Sequence, residues 1–410
     1  MQHMTRLLIS RVGRIALAAT TALLGTAAYA DIYHYNNILI GDRAAGMGGA
    51  YSAISDDPSG LYYNPAGIAY AAGASLNGSV NAYSSTFSEY KHVFGDKSWK
   101  RVSSGLIPNF FGLIQPFAGG MAGFSVVVTD AVADDQDQHF SNFTPTGGEA
   151  VQDYYINFNN HDSTYNIGPS FAFKPRDDLA IGLSFYGHYR KKQFILNQQT
   201  FLASGQQRWT SDYRQTTEYG INPVIGLMWS PLERLSLGLS LRKTVLLRSD
   251  SRNQQTDKQP SATSIPQPII GTSTTQRELP LEIKLGGAYF ANDRLLFSGD
   301  LSWDQSAGTR QAVANVALGA EFYLASQWAL RAGMFTNMAN TPTLSAARDN
   351  QLEHVDLYGG SFSVTNFTRN SSLSLGINGS LGHGQAQVSS GTQELQVWSL
   401  TTFIAASNSF

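Results

Sequence analysis

Apolar residues alternate with small or polar residues along much of the chain. The alternation is clearest over residues 179–189, 235–241, 281–285 and 373–377. Successive side chains of a β-strand point to opposite faces, so this period of two predicts strands with one aliphatic face. The opposite face carries Gly, Ser, Asn and occasional charges, whereas a soluble sandwich would carry more Lys, Glu and Thr. The pattern indicates a barrel that is apolar outside and polar inside.

Short turns alternate with longer polar segments between these strands. We predict short turns at residues 116–120, 175–178, 230–234, 291–294, 325–327 and 366–370. We predict long polar loops at residues 91–100, 133–162, 191–212, 248–276, 305–311, 339–354 and 384–393. These turns and loops connect fourteen strands, and an even strand number is the rule for bacterial barrels. The predicted fold is all-β: a transmembrane antiparallel β-barrel of fourteen strands over residues 73–410.

Composition agrees with a membrane protein that is built from strands. Only 14% of the 410 residues are charged, whereas Gly, Tyr and Phe number 39, 19 and 22. The chain has no Cys, which excludes disulfides, thiolate metal sites and Cys nucleophiles. The formal net charge is −2, so no basic excess is present that could hold a nucleic acid. After residue 30, no apolar run approaches the ~18 residues that a spanning helix requires.

Both termini carry export features. Residues 1–30 begin with three arginines, continue with an apolar stretch and end with Ala28 and Ala30, the small residues that a signal peptidase reads. Cleavage before Asp31 is therefore expected. At the other end, Trp398, Leu400, Ile404, Ala406 and Phe410 share one strand face. A terminal aromatic residue in this register resembles the assembly signal of outer-membrane barrels, so Phe410 is the candidate contact for the barrel-assembly machinery.

Residues 31–72 lack the alternation and are rich in small residues, Asp and Pro, which predicts short helical turns and tight bends. A fourteen-stranded lumen is too wide for side chains alone to fill, so we expect this segment to form a hatch, or plug, inside the barrel. Asn64 precedes Pro65 and is biased towards extended geometry. Its amide can satisfy backbone groups at the bend, while Ala66 and Gly67 allow close packing. These four residues are candidates for gating; the alternative is a purely structural turn.

Three stretches resemble one family. Residues 41–50 (GDRAAGMGGA), Asp56-Asp57 and Asn64-Pro65-Ala66-Gly67 resemble the N-terminal hatch of FadL-type outer-membrane long-chain fatty-acid transporters. Residues 107–116 (IPNFFGLIQP) are similar to that family's early barrel hairpin, and residues 279–303 resemble its later strands. The resemblance implies passive uptake of a fatty acid or an aromatic hydrocarbon in the outer membrane. It also implies a lateral exit into the surrounding lipid where a barrel strand is kinked.

Three prolines are candidates for such a defect in the wall. Pro108, Pro169 and Pro223 fall within predicted strands, and proline cannot donate to a strand ladder. Pro108 lies in the family-like hairpin and is the first candidate for the lateral exit. The alternative for each of the three prolines is a strand start or a harmless bulge.

Four cations are candidates for binding a fatty-acid carboxylate, which would need a positive partner in an apolar pocket. Arg43 lies in the hatch segment, and Arg242, Lys284 and Arg331 fall on the inward register of their strands. The alternative interpretation is structural pairing with lumen acids such as Glu282 or Asp300.

No catalytic residue, metal site or cofactor is predicted. The histidines are scattered without ligand spacing, and neither Gly187-His188 nor Gly382-His383 has a Ser nucleophile context. The expected partners are a hydrophobic small molecule, outer-membrane lipid and the assembly machinery, with no nucleic acid, and the expected state is a monomer. A second hypothesis is a FadL-like structural or secretion-accessory barrel whose loops, at residues 133–162 and 248–276, bind a protein. A general porin is a further alternative, which the long hatch segment opposes.

Overall fold

The computed structural model describes residues 33–145, 148–345, 348, 351–388 and 391–410. The expected signal segment therefore lies outside the described residues. Within the described part of the chain, no helix is long and apolar enough to cross a membrane.

A segment without strands opens the described chain. Residues 33–72 contain helix α1 (Asp42–Gly46), helix α2 (Gly60–Tyr63) and a 3-10 helix (Pro65–Tyr70). Asn64 adopts an extended conformation between the last two, and its Oδ1 accepts a hydrogen bond from the Ala66 amide at 3.2 Å. A side-chain cap followed by proline at the first position favours a helix start. The short helices and bends agree with the pattern of small residues and proline.

Sixteen β-segments follow, all paired antiparallel: β1 (Ser75–Phe94), β2 (Lys97–Phe117), β3 (Gly120–Phe143), β4 (Val151–Arg176), β5 (Leu179–Leu202), β6 (Gln207–Leu232), β7 (Leu235–Lys243), β8 (Val245–Lys258), β9 (Ile269–Ser273), β10 (Leu281–Asn292), β11 (Leu295–Asp304), β12 (Val313–Ala325), β13 (Trp328–Asn337), β14 (His354–Phe367), β15 (Ser371–Ala386) and β16 (Gln393–Ser409). Their bounds define six tight turns at the positions that the sequence predicted, which confirms those turns.

The sheet closes on itself because β1 pairs with β16 and β5 pairs with β6. Segments β7 and β8 both pair with β6 and are two parts of one barrel strand, broken at Thr244. Segment β9 pairs with β8 alone and lies outside the ring. The ring therefore contains fourteen strands, as the sequence predicted.

Four of the predicted long loops are wrong, because the strands continue through them. Residues 133–162 belong mostly to β3 and β4, and the segments predicted at 91–100, 191–212 and 248–276 are likewise largely strand. Beyond the membrane no face of a strand meets lipid, so alternation in hydrophobicity ends while backbone pairing continues. Polar residues on both faces therefore marked the end of the lipid contact and not the end of the strand.

The wall has a tall side and a short side. Strands β4 and β6 each contain 26 residues, whereas β11 and β13 each contain 10. A tilted strand needs only ~9–11 residues to cross a bilayer, so the tall side extends far beyond the membrane. Tyr165, Tyr189 and Tyr219 form a row on its outer face, with ring centroids 6.2 and 5.3 Å apart. This row marks the upper edge of the apolar band, where aromatic girdles of barrels lie.

Candidate functional site

The hatch lies in the lumen and packs against glycines on the inner face of the wall. A Cβ added at Gly182 would lie 2.3 Å from the Pro65 carbonyl carbon, and one at Gly226 would lie 2.1 Å from Asn64 Oδ1. Comparable contacts between hatch and wall occur at five further glycines: Gly123, Gly238, Gly286, Gly319 and Gly333. The small inward residues of the strands therefore create room for the hatch backbone.

Asn64 is fully buried and ties the hatch to the wall. Its Nδ2 donates to the carbonyl oxygen of Ser52 at 2.7 Å and to that of Leu227 on β6 at 3.1 Å. The predicted role of this amide, satisfying backbone groups near the bend, agrees with these contacts. Pro65, Ala66 and Gly67 follow directly in the 3-10 helix, and all three are buried. The geometry is that of an anchored turn.

The first pair of candidate cations is held by acids. Arg43 makes a forked contact with Glu321 on β12, with Nη2–Oε2 at 2.7 Å, and its Nη1 donates to Asp56 at 2.6 Å. Arg331 on β13 donates from Nε to the same Glu321 at 2.7 Å. Forked guanidinium–carboxylate pairs are strong and directional. Glu321 therefore joins the hatch arginine to a wall arginine.

The second pair shares one acid. Arg242 Nη1 lies 3.1 Å from Glu282 Oε2, and Lys284 Nζ lies 3.2 Å from Glu282 Oε1. Arg242 also donates to the Tyr62 carbonyl oxygen and stacks over the Tyr62 ring, with its Cζ 4.0 Å from the centroid. All four candidate cations thus have acidic partners, which agrees with the structural alternative.

The C-terminal end of the hatch segment and the C-terminal end of the barrel meet at the rim that carries the short turns. Phe410 is 72% exposed there, and its backbone amide donates to the Ala74 carbonyl oxygen at 3.1 Å. Asp57 of the hatch borders the same opening. Burial, reinforced by the Asp42 carboxylate, raises the pKa of Asp57 to about 6.

The wall is interrupted between β2 and β3. Their backbones pair from Phe110↔Val127 down to the short turn between the two strands. Above Phe110, towards the opposite rim of the barrel, only the pair Ser103↔Asp134 remains. Residues 104–109 of β2 do not pair with residues 128–133 of β3. Pro108 lies in the unpaired stretch of β2. At its upper end, Ser103 Oγ exchanges hydrogen bonds of 3.1 Å with the Ala133 backbone. We call this opening the β2–β3 gap.

A cavity of about 350 Å³ runs through the β2–β3 gap. On the lumen side it is lined by Tyr33 and Ile38 of the hatch and by Arg101 of β2. It is also lined by His161 and Ser163 of β4, which alternate with buried lumen residues and so lie on the outer face. This cavity, called the wall cavity below, is therefore bordered by residues from both faces of the barrel.

The other two prolines have different surroundings. Pro169 interrupts two β4–β5 pairs, but the register on either side is unchanged. Pro223 pairs normally with Phe185 of β5, and its other edge faces the broken strand at Thr244. Of the three prolines, Pro108 alone lies at an opening that leads to the wall cavity.

A second interruption begins above Lys243, the last residue of β7 that pairs with β10. Segment β8 continues upwards without β10, and we call this place the β8–β10 break. Gln276 Nε2 donates across it to the Leu247 carbonyl oxygen at 2.8 Å. Arg277 reaches the buried Glu218 carboxylate of β6, with Nε–Oε1 and Nη2–Oε2 both at 2.9 Å. The β8–β10 break is therefore bridged by side chains.

The lumen of the tall side is layered, as β5 illustrates. Ser184 and Tyr186 both donate to the Leu61 carbonyl oxygen of the hatch at 2.7 Å. Higher on the strand comes a charged layer, formed by Asp162, Arg190, Lys192, Glu218 and Arg277. Above it lies an outer aromatic cluster of buried residues that includes Tyr90, Phe94, Trp99, Phe158 and Phe194.

Sequence reasoning missed the charged layer and the acids at the wall cavity. Asp134 and Asp162 were assigned to a polar loop, although their buried side chains face the lumen. Arg190, Lys191 and Lys192 form a continuous run of cations, so the sequence carries no period of two in charge that would show which of them face the lumen.

Fold and site together define a plugged transmembrane β-barrel with a cavity that crosses its wall. The chain belongs to the outer membrane protein transport protein family (OMPP1/FadL/TodX), whose sequence profile matches residues 22–352. It is therefore an outer-membrane β-barrel of a family that transports hydrophobic compounds and is not enzymatic. This confirms the family resemblance.

Solved structures of low sequence identity share the fold. A FadL homologue from Pseudomonas aeruginosa is similar with a TM-score of 0.65 and 14% identity, over 92% of this chain and 100% of that chain. The toluene transporter TodX from Pseudomonas putida has a TM-score of 0.62 and 14% identity, over 92% and 100%. The toluene transporter TbuX from Ralstonia pickettii has a TM-score of 0.61 and 15% identity, over 92% and 100%. No curated protein matches the chain.

Proposed function

We propose that the protein takes up long-chain fatty acids or similarly hydrophobic molecules passively and releases them sideways through the β2–β3 gap. The observation that carries this proposal is the wall cavity, which is bordered by residues of both barrel faces at a place where the ladder is missing. A molecule in this cavity can leave the lumen without passing the hatch.

The layers of the lumen support a lateral route over an axial one. An apolar molecule moving straight down would meet the charged layer, where it would displace partners of Arg190 and Glu218. Leaving such buried charges without partners is costly. Below that layer, the glycine-lined contacts with the hatch leave no room for a side chain. The low-cost direction is therefore through the wall.

The height of the gap fits release into the membrane. Val128, at the lower end of the β2–β3 gap, pairs with Tyr165 of the aromatic row. The gap therefore reaches the upper edge of the apolar band, and a molecule leaving there enters lipid directly. In this proposal Pro108 keeps β2 from pairing, while Asn64, Pro65, Ala66 and Gly67 anchor the hatch. Pro169 and Pro223 have no direct part in the exit.

A reversible cross-link across the gap tests the proposal. The chain has no Cys, so Ser104→Cys with Ala133→Cys introduces one unique pair on opposite sides of the gap. Joining this pair with a cleavable cross-linker should stop entry of a fluorescent long-chain fatty acid into proteoliposomes, and cleavage should restore it. A matched control is Asn157→Cys with Asn197→Cys, which face each other in the intact β4–β5 ladder. Equal uptake by the two cross-linked proteins would contradict lateral exit.

One observation favours the second candidate function, a barrel that binds a protein partner. Segment β9 has a partner on one edge only within the described sheet. Its residues Ile269 and Ile270 are 72% and 59% exposed, and Ile265 before it is 62% exposed. Exposed strand edges with apolar residues invite pairing with another chain. A stoichiometric protein that co-purifies with the barrel and is lost after an Ile269→Lys substitution would support this candidate.

A further inference from the structure

We infer that the wall cavity selects uncharged molecules that can donate a hydrogen bond, such as long-chain alcohols, over carboxylates with the same hydrocarbon tail. This inference rests on the proposed function and narrows its substrate class. It is carried by the charges and hydroxyl groups that line the cavity.

The cation at the wall cavity is already engaged. Arg101 is the one Lys or Arg among the described residues that line the cavity, and it is buried. Its Nη2 lies 2.9 Å from Asp134 Oδ2, and its Nη1 donates to the Tyr90 hydroxyl at 2.7 Å. That hydroxyl donates in turn to Glu353 at 2.9 Å. A carboxylate ligand would have to compete with two acids for this guanidinium.

Acids outnumber cations around the wall cavity. Asp130, Asp134 and Glu353 line it, against the single guanidinium of Arg101. Like charges in a site with little water repel strongly, and a buried carboxylate without a cation loses its hydration without compensation. The lining therefore penalises an anionic head group and leaves an uncharged one unaffected.

Hydroxyl groups complete the lining. Ser84, Thr86 and Ser88 of β1 border the cavity, and Ser104 and Ser163 lie at its rim. Within the described residues, the side-chain hydroxyls of Thr86 and Ser88 have no hydrogen-bond partner, whereas their backbones pair in the β1 ladders. A hydroxyl both donates and accepts, whereas a carboxylate only accepts. An alcohol can donate to the acids and accept from the serines, so it matches the lining where a carboxylate does not.

The other lumen cations offer no alternative carboxylate site. Arg43, Arg242, Lys284 and Arg331, the four that the sequence suggested, are each paired with Glu321 or Glu282. A fatty-acid anion that passed the wall cavity would therefore meet no unpaired member of this set.

A matched pair of ligands tests the inference. Binding of 1-decanol and decanoate is measured at pH 8 by displacement of a fluorescent fatty alcohol from the purified protein. Each value is corrected for partition of the same compound into protein-free micelles. After this correction we expect decanol to bind at least several-fold more tightly. Equal or tighter binding of decanoate would overturn the inference.

Variants locate the selectivity. Asp130→Asn and Glu353→Gln each remove one acid from the lining and should each reduce the preference for decanol over decanoate. Two separate variants keep the test valid if one of them fails to fold. The control is Asp153→Asn, which removes an acid on the outer hairpin where its partner is His139, and it should leave the preference unchanged. A preference that neither lining variant alters would also overturn the inference.

Uptake of the two compounds into proteoliposomes distinguishes failure of this inference from failure of the proposed function. If proteoliposomes take up decanoate in preference to decanol, the inference fails and passive uptake stands. If they take up neither compound faster than protein-free liposomes, the proposed function fails and the inference fails with it.

Discussion

The β2–β3 gap and the β8–β10 break are two interruptions of one wall, and they differ in what lies behind them. Both reach the height of the aromatic row, since Val128 pairs with Tyr165 and Arg248 pairs with Tyr219. The first leads into the wall cavity, whereas the second is bridged by Gln276 and the Arg277–Glu218 ion pair. Loss of backbone pairing therefore does not by itself open a barrel. An opening also requires that no side chain closes it, and the side-chain contacts between β2 and β3, Ser103–Ala133 and Arg101–Asp134, lie at the upper end of the β2–β3 gap.

Of the changes that test this comparison, removal of the hatch is expected to have the largest effect, a rise in conductance. Deletion of residues 31–72 removes the hatch from the lumen behind both interruptions. Because a fourteen-stranded barrel without a plug encloses an aqueous channel, conductance in planar bilayers should rise on the order of tenfold. An unchanged current through a correctly folded barrel would contradict a lumen that is blocked by the hatch.

Restoring strand character at the open interruption is expected to have the next largest effect. Pro108→Val returns an N–H donor and a side chain that favours strands to β2, so the β2–β3 gap should narrow. Uptake of a long-chain fatty acid by cells should fall several-fold while the amount of folded barrel stays constant. Pro169→Val is the matched control, because the register around Pro169 is already continuous, and its uptake should equal that of the wild type.

Opening the bridged interruption should have a smaller effect. Arg277→Ser removes the guanidinium that holds the segment after β9 to the buried Glu218. The β8–β10 break should then open at times, which would appear as brief current steps in bilayer recordings. The control is Arg248→Ser, because that guanidinium is 70% exposed and pairs with Asp250 at the surface. Similar current traces for the two variants would show that Arg277 is not what closes the break.

The smallest effect is expected from the second bridge. Gln276→Ala removes one neutral hydrogen bond to the Leu247 carbonyl oxygen, an interaction worth about 1 kcal/mol. Current steps should therefore be rarer than those of Arg277→Ser. If Gln276→Ala leaked more than Arg277→Ser, the relative weights given to the two bridges would be wrong.

Local patterns of the sequence predicted the strands, the short turns and the hatch of this molecule. Alternation and turn residues gave fourteen strands and six tight turns, and the lack of alternation marked the hatch. The heights of the strands were not predictable in this way, because residues such as Asn157 and Gln198 pair as regularly as those in the membrane without a lipid face to mark them.

Contacts between distant residues could not be predicted from the sequence. Arg43 and Glu321 are 278 positions apart, so no spacing links them. The three prolines look alike in the sequence, yet only Pro108 lies in a stretch of strand without a ladder partner on β3, next to Ile107 of the wall cavity. The sequence pattern predicts a polar lumen face at the inward glycines. The structure explains why these positions are glycine, because the hatch backbone lies too close for a side chain.

Photolabelling during transport tests the central claim most directly. A long-chain alcohol carrying a diazirine is added to proteoliposomes, irradiated while uptake proceeds, and its adducts are mapped by mass spectrometry. Lateral release predicts adducts at lumen-side Arg101 together with adducts at Leu106, which is 66% exposed on the outer face beside the gap, and at Ser163. Adducts confined to the hatch near Ile68, with none along the β2–β3 gap, would contradict it.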